Sequence, residues 1–254
     1  MNNLKKLGLT ALAGSLVAST AVAGTLEVTG SATVKYQSKS GSSGTSGIQG
    51  NPWSDSNGIS FKGSGDLDNG MTVGYVYTMT DAAFSSSAVT LDMGDAGMVA
   101  FGHGTAYGGI DTIKDKMPTA GEEVWDDQGT GDDAGVTDVG SDASLFYKVD
   151  MNGITASASY ARTGVGTDSS VALVAADLVD GAEFGLGIGT DVTATSGTEN
   201  DMTTVYAKYT SGAVTVGAQL SEIDKTAANS DIDREAAAIS FAVNENLSVS
   251  WGIS

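Results

Sequence analysis

The 254-residue chain contains no cysteine and a single histidine, His103. Without cysteine there can be no disulfide framework, thiolate zinc site, iron–sulfur cluster or thiol nucleophile. A zinc site with three histidine ligands is excluded as well, because only one histidine is present. We therefore expect no cofactor.

Basic residues are also scarce, since 12 lysines and arginines face 31 aspartates and glutamates and leave a formal net charge of −19. No basic patch is available to neutralise phosphates, and this excludes nucleic acid as a partner. Only 17% of the residues are charged, however, and glycine, with 35 residues, is about double its usual share. This composition is not typical of an acidic soluble protein.

Residues 1–23 have the three parts of a secretory signal peptide. Lys5 and Lys6 form a basic start, residues 7–17 are mostly apolar, and the small-residue motif Ala21-Val22-Ala23 ends the segment. The apolar run is shorter than the ~20 residues that a transmembrane helix needs. We predict a cleaved leader, export beyond the inner membrane of a Gram-negative cell, and a mature domain over residues 24–254.

Beyond the leader, polar and apolar residues alternate with a period of two. Such alternation is typical of β-strands that have one polar and one apolar face. It predicts strands at residues 26–36, 71–77, 154–160, 214–220 and 247–253. About thirteen strands fit into the whole mature chain.

The connections between these strands fall into two classes. Tight turns are predicted where Asn-Gly, Asp-Gly or Ser-Gly pairs supply a positive φ, as at Asn152-Gly153. Longer, polar connections are predicted at residues 37–57, 80–86, 105–142, 163–169, 191–201 and 222–235. Short and long connections alternate along the chain, as in transmembrane β-barrels.

Two architectures are compatible with this pattern. A soluble β-sandwich buries its apolar faces, whereas a transmembrane barrel turns them toward lipid and keeps a polar interior. The export signal and the unequal connections favour the barrel. Aromatic residues near the strand ends also suit the membrane interface: Tyr36, Tyr75, Tyr77, Tyr160, Tyr209 and Trp251. The predicted fold is therefore all-β, an antiparallel transmembrane β-barrel.

Several stretches resemble the trimeric general porins of Gram-negative outer membranes, in particular those of marine alphaproteobacteria. They are the leader MNNLKKLGLTALAGSLVASTAVAG and the segments LEVTGSATVKY, FKGSGDLDNGMTVGYVYT and LDMGDAGMVAFGHG. The resemblance implies a sixteen-stranded barrel, a homotrimer in outer-membrane lipid, and a third extracellular loop that folds into the pore. Because about thirteen strands are present and the family's C-terminal aromatic is absent, we expect the chain to be truncated at its C-terminus.

The connection at residues 105–142 is the candidate for that loop, because it is far longer than the others. It contains ten carboxylates and two lysines, an excess that raises the local cation concentration inside a narrow aqueous pore. The predicted constriction residues are Asp111, Asp115, Glu122, Glu123, Asp126 and Asp127. A solvated loop outside the pore is the alternative.

The predicted pore wall contains Lys35, Lys62 and His103. Strand parity also turns Lys148 and Lys208 inward, near the short-turn end, whereas Arg162 and Arg234 are expected at loop margins. The resembled porins usually have an arginine cluster on this wall. Because basic residues are few here, a preference for cations is expected.

The residues favour a passive channel for small hydrophilic solutes over an enzyme. His103 has no serine or aspartate placed beside it by the sequence, so a role at the pore rim or wall is favoured over catalysis. An irregular Ca²⁺ site at residues 126–133 is a further possibility, although Thr137 stands where an EF-hand requires glutamate. A non-conducting outer-membrane or secreted acidic β-protein with a surface or adhesion role is the alternative function.

Overall fold

The computed structural model describes residues 26–36, 53–104, 107–120, 143–176, 178–192, 198–226, 231–245 and 247–254. These residues form thirteen β-strands and two short 3₁₀ helices. Neither helix is long and apolar enough to cross a membrane. The predicted signal peptide at residues 1–23 lies outside the described residues.

The chain divides into two compact units, of which the first ends at residue 91. It contains the strands β1 (Leu26–Tyr36), β2 (Trp53–Asp66) and β3 (Thr72–Thr80), together with nearly all of β4 (Ala83–Asp92). β1 pairs with β2 and β2 with β3, both antiparallel. The predicted strand at residues 26–36 is confirmed with both of its ends.

The second unit contains the remaining nine strands and both 3₁₀ helices (Gly94–Ala96 and Gly109–Ile113). From β5 to β13, each strand is antiparallel to the next one in the chain. The strands are β5 (Met98–His103), β6 (Ser144–Met151), β7 (Ile154–Arg162), β8 (Thr167–Ala176), β9 (Ala182–Val192), β10 (Glu199–Ser211), β11 (Val214–Lys225), β12 (Ile232–Asn244) and β13 (Leu247–Ile253). The predicted all-β, antiparallel class is confirmed.

The turn residues explain where the predicted connections hold and where they fail. Asn152 and Gly153 both have a positive φ, of 50° and 86°, as the sequence predicted. The longer connection predicted at residues 80–86 is wrong, because Asp81 and Ala82 alone join β3 to β4. Both residues adopt a positive φ without glycine, and the Asp81 carboxylate accepts a hydrogen bond from the Asn57 backbone nitrogen at 2.8 Å.

The connection predicted at residues 163–169 is also shorter than expected. β7 ends at Arg162 and β8 begins at Thr167, so that part of the predicted loop belongs to β8. The Thr163 hydroxyl accepts a hydrogen bond from the Gly166 backbone nitrogen at 2.9 Å, which closes the turn. The strict alternation of short and long connections is therefore wrong at two places.

The strands of the second unit have an outer face of exposed apolar side chains. Leu186, Ile188, Val205 and Leu220 are each more than 40% exposed. A soluble protein would bury such side chains, whereas a strand in a membrane turns them toward lipid. Exposed aromatic rings are found near the strand ends, as the interface prediction requires: Tyr160, Tyr209 and Trp251.

The opposite face, called the inner face here, carries mostly small and polar side chains, together with a few larger apolar ones such as Met202 and Ile223. Ser170, Thr204, Gln219 and Ser221 lie on it and are all buried. The buried apolar cluster packs on this same face and includes Ile110, Ile113 and Met117 from the connection between β5 and β6. The core of the second unit is therefore formed by a loop covering the polar side of the sheet.

Candidate functional site

Residues 107–120, called the inward segment here, cover the inner face of the second unit. The segment contains the second 3₁₀ helix, which contacts β7, β8, β9 and β10. The backbone of β7 to β11 approaches it closely because small side chains lie opposite. The sequence predicted that this loop lies inside the pore, and the described part of it lies on the polar face of the sheet.

Serine side chains hold the first part of the inward segment. The backbone nitrogen of Ile110 donates a hydrogen bond to the Ser170 hydroxyl at 2.9 Å. Ser170 is in turn hydrogen bonded to the Ser159 hydroxyl at 2.7 Å. Gly109, which precedes the bonded nitrogen, has a φ of +67° and lies so close to both serines that a side chain would clash. Only glycine fits this position.

Isoleucine side chains fill the middle of the segment. Ile110 and Ile113 are fully buried and lie over Gly187 of β9. A Cβ atom at Gly187 would be 2.7 Å from the Cδ1 atom of Ile113 and 3.0 Å from the Cγ1 atom of Ile110. The glycine therefore makes room for both isoleucines.

The last part of the segment crosses β11 and reaches β13. A Cβ atom at Gly217 would be 2.8 Å from the Cδ atom of Pro118 and 3.1 Å from the Cε atom of Met117. Further along, the backbone nitrogen of Ala120 donates to the Ser250 hydroxyl at 2.9 Å. The segment thus runs from β7 to β13 along the inner face.

Gln219 of β11 binds the backbone of the inward segment directly. Its Oε1 atom accepts from the backbone nitrogen of Lys116 at 3.0 Å. Its Nε2 atom donates to the carbonyl oxygens of Lys114 at 2.8 Å and Ile113 at 3.4 Å. One side chain therefore satisfies three backbone groups of the segment.

Charged groups surround the end of β10 on the same face. The Glu183 carboxylate accepts a hydrogen bond from the Tyr206 hydroxyl at 2.6 Å and lies 3.2 Å from the Lys208 ammonium. Lys208 was predicted to point inward, and it lies on the inner face. The cationic wall is thus partly neutralised by a glutamate.

Lys116 brings a further cation to this region. Its pKa is lowered, chiefly because burial removes water from the ammonium and also because Lys208 and Lys148 repel it. Glu183 and Asp115 act in the opposite direction. Burial also raises the pKa of the Tyr107 phenol at the other end of the segment.

Two of the predicted constriction carboxylates lie in the inward segment. Asp111 is buried in the 3₁₀ helix, and Asp115 is half-buried. The other four, Glu122, Glu123, Asp126 and Asp127, lie outside the described residues. The run proposed for Ca²⁺, residues 126–133, also lies outside them, and that site stays a prediction.

Two of the predicted wall residues, Lys62 and Lys35, lie in the paired strands β2 and β1. Lys62 pairs with Glu27 across β1 and β2, next to Ser60, on the face opposite to Phe61. Lys35 lies near the other end of β1, paired with Ser54.

His103 is the last residue of β5. It is exposed on the side of Phe101, opposite to the buried Ala100. Its position at the end of the strand fits the rim, and a role in the pore wall stays a prediction.

The arginines differ from expectation in one case. Arg162 ends β7 and is exposed, as a loop-margin residue should be. Arg234, expected at a loop margin, is instead the third residue of β12, half-buried in register with Ser221. Arg234 shares the inner face with Ile232 and Ala236. The strand β12 therefore begins earlier than the polar sequence suggested.

Sequence reasoning missed the residues that receive the segment: Ser170, Gly187, Gly217 and Gln219. Gly187 lies within β9, and the sequence did not predict that it makes room for the inward segment. The available signal was the occurrence of glycine, serine and glutamine at inner-face positions of neighbouring strands.

Comparison with known proteins agrees with this geometry. A family model described as Gram-negative porin matches residues 8–253. No curated protein sequence matches the chain.

Solved structures with the same fold include an outer-membrane protein, OmpT of Vibrio cholerae with its loop L8 deleted. It is 12% identical with a TM-score of 0.61, and the match covers 91% of this chain and 80% of that one. A porin refined at 1.8 Å is 15% identical with a TM-score of 0.54, and a mutant of the Rh. blastica porin is 16% identical with a TM-score of 0.50. Both matches cover 90% of this chain and 93% of the other. The chain belongs to the Gram-negative porin family and is an outer-membrane protein of the porin β-barrel fold.

Proposed function

We propose that this porin is a water-filled channel for the passive diffusion of small hydrophilic solutes and ions, with a preference for cations. The observation that supports it is the inward segment, which lies on the polar inner face while the outer face exposes apolar side chains. A loop in this place narrows the aqueous path. Selection then depends on width and charge, and no covalent chemistry is needed.

The proposed cation preference rests on the distribution of charge within residues 105–142. In the inward segment, Asp111 and Asp115 are balanced by Lys114 and Lys116. The remaining eight carboxylates of the loop follow without any lysine or arginine: Glu122, Glu123, Asp126, Asp127, Asp132, Asp133, Asp138 and Asp142. In a narrow path with low-dielectric walls, such an excess attracts cations and repels anions.

The reversal potential in a KCl gradient across a planar bilayer tests this preference. We expect a potential of the sign that a cation-selective pore gives, and a shift toward zero when four loop carboxylates are neutralised (Glu122→Gln, Glu123→Gln, Asp126→Asn and Asp127→Asn). The control neutralises four exposed carboxylates of β11 and β12 that lie on the outer face: Glu222→Gln, Asp224→Asn, Asp233→Asn and Glu235→Gln.

The control should keep the wild-type reversal potential, because its charges lie outside the aqueous path. An anion-selective wild type would contradict the preference. Equal shifts in the two quadruple variants would show that the loop charge does not act inside the pore.

We also propose that the protein is a homotrimer, as the resemblance to trimeric general porins implies. Light scattering of the detergent-solubilised protein, corrected for bound detergent, should give three times the mass of one mature chain. A mass of one chain under conditions that preserve the folded sheet would contradict the trimer.

A further inference from the structure

Gln219 occupies an unusual place for a long polar side chain. It is 1% exposed and lies on the inner face of β11, between Gly217 and Ser221, which share that face. Its strand neighbours are Tyr206 on β10 and Ala236 on β12. A buried amide at such a site must have its hydrogen bonds satisfied, because an unsatisfied polar group costs about 1–3 kcal/mol.

The partners of Gln219 come mostly from the inward segment, more than one hundred residues earlier in the chain. It accepts from the nitrogen of Lys116 and donates to the carbonyl oxygens of Lys114 and Ile113, as described above. The remaining contact is with the Ser221 hydroxyl, at 3.4 Å from Nε2. The side chain thus ties a loop to a strand and does little within the sheet itself.

The bonds require both parts of a primary amide. One acceptor and two donors are needed at the same position, and among side chains of this length glutamine provides them without a charge. Glutamate would keep the acceptor but lose both donors, and its charge would face two carbonyl oxygens. Alanine would leave three backbone groups of the segment without these partners.

The neighbouring anchors do not replace Gln219. Ser170 binds the nitrogen of Ile110, and Ser250 binds the nitrogen of Ala120. Between these points, Gln219 bonds the backbone of residues 113–116. Gly217 places Pro118 and Met117 beside it, so that the backbone is close enough for the bonds.

We infer that Gln219 is a positioning residue, which holds residues 113–116 against the inner face of the sheet and so sets the free width of the channel. The positioning follows from the contacts alone, whereas the effect on width rests on the proposed channel function. Residues 113–116 lie between the backbone bonds to Ser170 and Ser250, so loss of the Gln219 bonds frees this stretch to open locally.

Hydrogen exchange followed by mass spectrometry tests the positioning on the refolded full chain. We expect the amides of residues 113–120 to exchange about tenfold faster or more in Gln219→Ala, since three bonds are lost. Gln219→Glu keeps the shape of the side chain, and it should raise the exchange as well. Thr204→Ala is the matched control, because Thr204 is a buried inner-face residue of the neighbouring strand β10 whose hydroxyl is hydrogen bonded to Ser221.

Single-channel recording of the same variants tests the effect on width. The two Gln219 variants should show a larger and noisier open-state current, while Thr204→Ala should conduct as the wild type does. A merely structural role would instead lower the stability of the sheet, which heat-modifiable gel mobility measures, without changing the open-state current.

The outcomes separate the two proposals. If both Gln219 variants fold and their segment exchanges at the wild-type rate, the positioning role is overturned. It is also overturned if neither variant folds, because Gln219 would then serve the sheet. If exchange responds as expected but the wild type does not conduct, the positioning stands and the proposed channel function fails.

Discussion

Lys116 shows how burial changes the pKa of a single residue in the inward segment. Burial lowers its pKa below the ordinary value, which is about 10.4 for lysine in water. Between the lowered pKa and that ordinary value, the unfolded chain binds more protons at this site than the folded protein does. The free energy of unfolding therefore rises with pH within this window, as far as Lys116 determines it.

The same shift predicts a pH dependence of ion selectivity. As the pH rises above neutrality, Lys116 loses its proton before fully hydrated lysines do, and the path near Glu183 becomes more negative. The cation preference should increase over this range in the wild type. Reversal potentials measured at several pH values check this.

Lys116→Gln is the variant to compare, because it removes the titrating ammonium and keeps the backbone nitrogen that binds Gln219. Its selectivity should be higher at neutral pH and should change less as the pH rises. Identical pH profiles for the two proteins would show that Lys116 does not contribute charge to the path.

At the scale of elements, the fit between the 3₁₀ helix and β9 depends on the absence of a side chain at Gly187. Gly187→Val would place methyl groups where Ile110 and Ile113 now lie, and overpacking of this kind costs about 1–3 kcal/mol. We expect the helix to leave the sheet for part of the time, giving a larger open-state current. Single-channel recording measures this directly.

Gly63→Val is the matched control for that substitution. Gly63 also lies in a strand, β2, but nothing is within 4 Å of the position its Cβ would take. Its current should equal that of the wild type. An unchanged current in Gly187→Val, with the protein folded, would mean that the helix does not narrow the channel.

Strands and turns could be predicted from the sequence where the local signal is sufficient. Alternation places β1 and β13 with their observed ends, and Asn152-Gly153 forms the expected tight turn. The tight turn at Asp81 and Ala82 was not predicted because neither residue is glycine. It depends on a hydrogen bond from Asn57, a residue on another strand, and such long-range support is invisible to local patterns.

The residues that contact the inward segment could not be predicted from the sequence for the same reason. Strand parity puts Ser170, Gly187 and Gln219 on the inner face, but it does not say which of them meets the loop. The bond between Gln219 and Lys116 joins residues 103 positions apart. Whether Gln219 and Lys116 meet depends on the register of five neighbouring strands.

For the whole molecule, the arrangement of its faces gives the clearest link between sequence and function. Large apolar side chains such as Leu186 and Leu220 are exposed, while Ser170 and Thr204 are buried. This is the reverse of a soluble protein and suits a sheet with lipid outside and polar groups inside. Of the 31 acidic residues, ten lie in the connection at residues 105–142.

The conductance of single molecules in a planar bilayer tests the central claim, that this chain forms a water-filled channel narrowed by the inward segment. The refolded full chain, with its β-sheet content confirmed by circular dichroism, should give discrete, reproducible current steps in KCl. Variants that loosen the segment, Gln219→Ala and Gly187→Val, should give larger steps. Folded protein that inserts into the bilayer and produces no steps would contradict the account.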